Sequence, residues 1–229
     1  MEDTLKIKIA ITAMVVTALV APMSLADAST FTDTGSPVTL TILHNNDGES
    51  ALLPELTYTR PQGTLIYGSA AAFSTVMKRE ISAAKKSGNA VVSLYAGDSF
   101  LASKTLICSE PADNNSTTPV YDGVAQSMMP YDAHILGNHE FDYGTGFLKR
   151  YIDSFTQKNR YQFLSGNMDF SANADLSSIA AKSGPILRSM HSGKRVGQSY
   201  IHKDYRTGAI FGVVSAVTPL LRTISSPGT

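Results

Sequence analysis

Short apolar segments alternate with longer amphipathic segments along the chain, and this pattern predicts strands alternating with helices. Residues 38–43 and 91–95 predict two buried strands. Between them, residues 70–86 carry apolar side chains at helical spacing and end before Gly88, which predicts a helix. Further on, the pattern predicts a helix at 123–129, a strand at 133–136, a helix at 147–158 and a strand at 162–164. This order is typical of βαβ units, so we expect an α/β fold with a parallel sheet.

The pattern changes near the C-terminal end. There, "SYIHKDYRTGAIFGVVSAV" predicts two adjacent strands across a turn at 206–208. Two histidines on or beside apolar strands, His44 and His134, are expected to pack in the core. His191 and His202 are expected at the surface, the latter in a strand of the predicted hairpin.

Residues 1–28 are predicted to be a secretory signal. Lys6 and Lys8 precede an uncharged apolar run that ends in "ADA". A retained membrane anchor is the alternative, but the apolar core breaks at Pro22 and is short for a span of about 20 residues. We therefore expect cleavage, a periplasmic or secreted protein with no stable membrane anchor, and a polar linker at 29–36.

Charge balance and cysteine content exclude several classes of protein. The chain carries 19 basic and 19 acidic side chains, so it has no global attraction for a nucleic acid polymer. Its 229 residues are enough for one well-buried domain. Cys108 is the only cysteine, which leaves no internal disulfide. It lies beside the polar stretch "SEPADNNSTTP", which predicts an exposed loop, and a spare thiol is favoured there over a reactive nucleophile.

Polar residues follow three of the predicted strands at the points where they end. Asp47 and Glu49 lie in "HNNDGES", Asp98 lies in "AGDS", and Asn138 and His139 lie in "GNHEFD". In α/β sheets, ligands bind in the crevice beyond the carboxyl ends of the strands. These side chains are therefore expected to converge on one site.

The pair of acids in "HNNDGES" predicts a cation. In extended backbone, residues two apart point the same way, so Asp47 and Glu49 are expected to face one side, with Gly48 letting the chain bend. Two carboxylates so close repel each other unless a cation or a proton lies between them. Taken alone, "NDG" favours a simple turn in which Asp47 accepts from backbone amides. Together with the other two motifs, a divalent metal is the better interpretation.

These motifs resemble those of the exported 5'-nucleotidases of the calcineurin-like metallophosphoesterase superfamily. The resemblance rests on "ILHNNDGES", "YAGDSF" and "YDAHILGNHEFDYG", in the order of the family, and covers most of residues 38–229. It implies a mixed β sandwich flanked by helices, in four layers (αββα). Because "GHSH"-type motifs and a C-terminal base-binding domain do not follow, residues 37–229 are expected to be the N-terminal part of a truncated metallophosphoesterase domain.

The resemblance also implies a role for each motif residue. Asp47 would be a ligand of one metal and Asp98 the bridging ligand of two. Asn138 would be a ligand of the second metal that also contacts phosphate. His139 would face the scissile phosphoryl group, with Asp142 orienting its imidazole ring.

The implied activity is metal-dependent hydrolysis of a nucleotide or another phosphate monoester, by attack of a metal-bound hydroxide on phosphorus. Two divalent ions are implied as cofactors. Glu49 stands where the family usually has histidine, so we expect it to be an oxygen ligand that favours Mn²⁺, Mg²⁺ or Ca²⁺ over Zn²⁺. With part of the ligand set missing, the chain itself is expected to be weakly active or inactive. Two alternatives stay open: a phosphatase with Ser99 as nucleophile, and a non-catalytic exported fragment with a partial metal site.

Overall fold

The computed structural model describes residues 37–54, 56–109, 117–156, 162–181, 185–187 and 196–227. They all belong to the second of two compact units into which the chain divides, Pro37–Thr229. The predicted signal and linker, like His191, lie outside the described residues. Within these ranges, no helix is both long and apolar enough to cross a membrane.

The described elements follow one another in the order β1 (Leu40–Asn45), β2 (Leu56–Arg60), β3 (Gly63–Tyr67), α1 (Ala70–Lys86), β4 (Ala90–Tyr95), α2 (Lys104–Ile107), α3 (Tyr121–Ser127), β5 (Ala133–Ile135), α4 (Gly144–Asp153), β6 (Phe163–Leu164), β7 (Pro185–Leu187), β8 (Val196–Gly197), β9 (Ser199–Lys203), β10 (Ile210–Val214) and α5 (Leu221–Ile224). A 3₁₀ turn, His139–Phe141, lies between β5 and α4. Helix α1 has the predicted bounds, because the Ser69 side chain caps its first turn by accepting from Ala72 N–H.

A five-stranded parallel sheet forms the centre of the unit. Its order is β1–β4–β5–β6–β8, and every neighbouring pair is parallel. Strand β4 is buried along nearly its whole length because it has neighbours on both edges and packed layers on both faces. The predicted parallel sheet is therefore confirmed, and all its strands end at the same edge.

A second sheet, in the order β10–β9–β7, packs against one face of the first. Strands β9 and β10 form the predicted antiparallel hairpin, while β7 joins β9 in parallel. Val92 and Leu164 of the parallel sheet share an apolar core with Tyr200 and Val213 of the second sheet. The predicted β sandwich is thus present.

Helices cover the opposite face of the parallel sheet. Met77 of α1 packs with Tyr95 of β4, and Leu148 of α4 packs with Phe163 of β6. On the outer face of the second sheet, Val214 is 81% exposed. The described residues therefore form three of the four expected layers: helices, parallel sheet and second sheet.

Several elements differ from the sequence pattern. Helix α4 begins before the predicted range 147–158, because Gly144 with φ +77° lets the chain turn directly into the helix, and it ends at Asp153, also earlier than predicted. Helix α3 likewise starts two residues before its predicted position at 123–129. The hairpin β2–β3 is not predicted at all. Its residues are exposed on both faces, and the short alternation in "LTYTR" is not continued in "GTLIY".

Two of the histidine predictions are wrong. His44 is exposed, because β1 is the edge strand of the parallel sheet. His202 is only 4% exposed, since β9 packs inward and places its Nδ1 3.2 Å from the Tyr200 hydroxyl and 3.8 Å from an Asp132 carboxylate oxygen. His134 is buried as predicted, and burial lowers its pKa to about 3.

Candidate metal and phosphate site

Three loops meet at the carboxyl edge of the parallel sheet. They follow β1, β4 and β5 and carry all the residues predicted to form the site. The loop after β1 is joined to the loop after β4 by backbone bonds, from Asp47 N–H to Gly97 O at 3.0 Å and from Glu49 N–H to Asp98 O at 3.2 Å. The Tyr95 hydroxyl adds a link, since it accepts from Gly48 N–H at 2.9 Å and donates to Asp98 O at 3.2 Å.

The backbone is left-handed at four residues of these loops, two of which, Asp47 and Glu49, lie where the sequence predicts an extended chain. Asp47, Glu49, Ser50 and Asp98 have φ values of 53°, 47°, 59° and 61°. The geometric reason given for Asp47 and Glu49 facing one side is therefore wrong, because the alternation of a strand does not apply to them. Non-glycine residues in this region are strained, and such strain concentrates at functional sites.

Gly48 is needed for space, and not for a left-handed backbone. Its φ is not among the positive values of the described glycines. A Cβ at this position would lie 2.7 Å from the Tyr95 hydroxyl oxygen. The glycine therefore lets the first loop lie against the end of β4.

The carboxylates of Asp47 and Asp98 lie close together. Burial raises the pKa of Asp98, and the nearby charge of Asp47 and a hydrogen bond with it raise it further, while His139 lowers it. Asp98 Oδ1 also accepts the backbone N–H of His139 at 3.0 Å. The repulsion between these two carboxylates, which raises the pKa of Asp98, would be relieved by a cation bound between them. The pair therefore fits a divalent metal.

His139 and Asp142 form a second, adjoining pair. His139 Nδ1 is 2.6 Å from Asp142 Oδ2, and the other Asp142 oxygen accepts the Ser225 hydroxyl at 2.8 Å. Burial alone would lower the pKa of His139, but the hydrogen bond to Asp142 and the charges of Asp142, Asp98 and Glu140 raise it above its ordinary value. Asp142 thus lies where it can orient the ring, and Ser225 in turn fixes Asp142.

Glu140 is a site-supporting residue that sequence reasoning missed. It is 1% exposed, and its carboxylate accepts the backbone N–H groups of Asp98, Ser99 and Gly137 at 2.9, 2.6 and 2.6 Å. Burial raises its pKa, and these three backbone donors lower it in part. Its place in "GNHEFD" carries no signal that two of its partners lie 42 and 41 residues earlier in the chain.

Two glycines bring the loops after β4 and β5 into contact. A Cβ on Gly97 would lie 2.6 Å from Gly137 N, and a Cβ on Gly137 would lie 2.3 Å from Asp98 Oδ1. Gly97 also has φ +100°, which disfavours any other residue. The glycines of "AGDS" and "GNHEFD" are therefore required by this close approach.

The set of metal donors is incomplete in the described residues. No group of three or more His, Cys, Asp or Glu side chains there could hold an ion. Asp47 and Glu49 are both exposed on the loop after β1, and they form no such group with Asp98 in the described residues. The amide oxygen of Asn138, which is partly buried at the start of the 3₁₀ turn, is a further donor that hard ions accept.

The other two reactive candidates do not present a reactive group to this arrangement. Ser99 is 3% exposed and its hydroxyl is 2.8 Å from the buried Tyr151 hydroxyl. A nucleophile needs access to phosphorus, so the geometry does not support the Ser99 mechanism. Cys108 is an exposed free thiol at the end of α2.

Comparison with known proteins identifies the fold. No family model and no curated protein matches the sequence. A 5'-nucleotidase precursor from Thermus thermophilus matches in structure with a TM-score of 0.58 and 24% identity, over 82% of this chain and 30% of that one. The NAD nucleotidase of Haemophilus influenzae matches with a TM-score of 0.56 and 21% identity, over 82% of this chain and 28% of that one. The chain thus spans less than a third of either protein, and the likeness confirms the predicted fold: this chain has the α/β fold of the matching part of these nucleotidases.

Proposed function

We propose that this protein is a metal-dependent hydrolase of phosphate monoesters, similar to 5'-nucleotidases. One observation carries the proposal: the Asp47–Asp98 carboxylate pair and the His139–Asp142 pair adjoin each other at the carboxyl edge of the sheet. The first pair attracts a divalent cation, and the second offers a positive imidazolium to a phosphate. The proposal is supported by the fold shared with two solved nucleotidases.

The proposed ligand set is Asp47, Asp98 and Asn138, with Glu49 as a fourth oxygen donor. Two divalent ions, when bound, would supply an activated water and neutralise charge on the phosphoryl oxygens. Mn²⁺, Mg²⁺ or Ca²⁺ suits these oxygen donors better than Zn²⁺ does. These four proposed ligands alone should hold one metal ion more readily than two.

His139 is proposed to stabilise the reacting phosphoryl group. Its Nδ1 is engaged by Asp142, which leaves Nε2 to donate to a phosphoryl oxygen or to the leaving oxygen. Since its pKa is raised, the ring keeps its proton to a higher pH than an ordinary histidine does. Asn138, directly before it in the chain, is proposed to contact the phosphate through its side-chain amide.

The nucleotide class and the location are further proposals. The two structural relatives are a 5'-nucleotidase precursor and an NAD nucleotidase, and they are the reason for proposing a nucleotide in preference to another ester. A periplasmic or secreted location is proposed from the predicted signal at 1–28.

The second candidate function is a non-catalytic exported fragment with a partial metal site. It is favoured by one specific observation, the lack of any group of three His, Cys, Asp or Glu ligands in the described ranges. This candidate predicts binding of one cation without turnover.

The test is a phosphatase assay of the 229-residue chain with AMP and p-nitrophenyl phosphate in the presence of Mn²⁺. We expect slow turnover that is lost after exhaustive chelation and in Asp98→Asn. Turnover that survives chelation would contradict the metal-dependent mechanism. Mn²⁺ binding without turnover would establish the second candidate instead, and trapping of a phosphoserine at Ser99 would establish the serine mechanism.

A further inference from the structure

The loops after β4 and β5 are held together beyond the end of the strand pairing. The register between β4 and β5 ends with Tyr95 paired to His134. Past that point, the described chain has no backbone hydrogen bond from residues 96–99 to residues 136–139. Asp98, Asn138 and His139 all lie past it, so something other than the ladder must fix their spacing.

The carboxylate of Glu140 takes the place of the missing ladder bonds. Its Oε2 accepts from Asp98 on one loop and from Gly137 on the other, and its Oε1 accepts from Ser99. One side chain therefore bonds the backbones of both loops at once. Hydrogen bonds to an ionised acceptor are about twice as strong as neutral ones, so a carboxylate suits this task.

We propose that Glu140 is a positioning residue that sets the distance between Asp98 and the Asn138–His139 pair before any metal or phosphate binds. It acts on the site through the backbone. Asp98 is held with φ 61° while its N–H is bonded to Glu140 and its Oδ1 accepts from His139. Loss of the carboxylate would let both loops relax and would separate the groups that bind the ligand. This inference rests on the proposed function for its consequence, though the bonds themselves do not depend on it.

Three variants separate positioning from general stability. Glu140→Gln keeps the shape but turns an NH₂ group toward backbone donors, so it cannot accept all three bonds. Glu140→Asp keeps the charge on a shorter side chain and should partly rescue the bonds. Tyr151→Phe is the matched control, because its hydroxyl is equally buried and contacts the Ser99 side chain while bonding neither loop backbone.

The first measurement is amide hydrogen exchange in the metal-free chain. We expect Glu140→Gln to accelerate exchange at Asp98, Ser99 and Gly137 by about tenfold or more relative to amides of α1, and Tyr151→Phe to leave this ratio unchanged. Unchanged local exchange in Glu140→Gln would overturn the proposal. If that variant fails to fold, Glu140→Asp decides the question, with a smaller acceleration at the same three amides expected.

The second measurement is calorimetric titration with Mn²⁺ alone, beside urea unfolding of each variant. We expect Glu140→Gln to weaken Mn²⁺ binding by about 10-fold to 100-fold, as for other residues that orient metal ligands, and Glu140→Asp to recover part of it. An equal loss in Tyr151→Phe at the same stability would show a merely structural role. If the unmodified chain binds no Mn²⁺, the proposed function fails, while the exchange result still decides whether Glu140 holds the loops.

Discussion

Asp47 and Glu49 lie on an exposed loop that backbone bonds and one tyrosine hydroxyl attach to the rest of the site. Asp98 and His139 lie on loops that a fully buried carboxylate joins and that two glycines bring into contact. We call the loop after β1 the exposed half of the site, and the loops after β4 and β5 the buried half.

The two halves differ in the amino-acid substitutions that they can tolerate. In the exposed half, Asp47 and Glu49 are in contact with water, so a change of side chain there does not disturb the packing. In the buried half, backbone atoms lie within van der Waals distance of each other, so a single methyl group does not fit. Substitutions in the exposed half should change the preference for a metal ion, and substitutions in the buried half should disrupt the site.

The largest expected effect tests the chemistry of the buried half. His139→Ala should lower turnover by about 10²-fold to 10⁴-fold, because it removes the group proposed to stabilise transition-state charge. Mn²⁺ affinity should change little, since His139 is not a proposed ligand. His44→Ala, which removes an exposed histidine outside the site, is the control and should leave both unchanged. An equal loss of turnover and metal affinity would move His139 into the ligand set.

A methyl group should be tolerated less well in the buried half than in the exposed half. Gly97→Ala should lower the free energy of unfolding by about 3 kcal/mol or more, because its Cβ meets the backbone of Gly137. Gly48→Ala should cost less, since its Cβ meets the end of a side chain, that of Tyr95. Gly208→Ala, at φ +77° with open space around it, should cost only about 1–2 kcal/mol for the backbone conformation. Urea unfolding gives the order, and equal losses at all three would remove the steric distinction.

A buried acid next to the first loop should make stability depend on pH. Burial raises the pKa of Asp122 to about 6, and neither of its carboxylate oxygens has a hydrogen-bond partner among the described residues, although Ser50 lies nearby. Because the folded pKa lies above the unfolded one, Asp122 should destabilise the fold increasingly as pH rises from about 4 to about 6. Asp122→Asn should therefore gain about 1–3 kcal/mol at pH 7 and little at pH 4. A gain of the same size at both pH values would show that the carboxylate does not titrate in this window.

The smallest expected effect tests the exposed half. Glu49→His should raise the ratio of Zn²⁺ to Mn²⁺ affinity by roughly a factor of ten, because imidazole suits Zn²⁺ better than another carboxylate does. The fold should not change. Glu80→His, an exposed glutamate on α1, is the matched control. An unchanged ratio, measured by competition titration, would show that Glu49 is not a ligand.

The sequence predicts the parts of this molecule that depend on local pattern. Helix α1 has its predicted bounds, and the apolar strands form the predicted parallel sheet, because both depend on the hydrophobic pattern of residues close together in the sequence. The convergence of Asp98 and His139 follows from the same topology. The hairpin β2–β3 is not predicted: "LTYTR" alternates apolar and polar residues, but both strands are exposed and contribute no residue to the core.

The remaining features depend on partners that are distant in the sequence. The left-handed backbone at Asp47 and Glu49 goes with their hydrogen bonds to the loop after β4, so the local rule for extended chains fails there. Glu140 bonds to Asp98, which precedes it by 42 residues. Ser225 follows Asp142 by 83 residues. Only the folded chain reveals these pairs.

The measurement that tests the account most directly is a calorimetric Mn²⁺ titration of the chain, of Asp47→Asn, of Asp98→Asn and of the double variant. If the two carboxylates share an ion, the chain should bind about one equivalent weakly, and each single variant should lose about tenfold or more in affinity. The double variant should lose less than the sum of the two free-energy changes, because either substitution already breaks the shared site. Unchanged affinity in either single variant would contradict the shared carboxylate site. Two tight equivalents in the unmodified chain would show that its ligand set is complete.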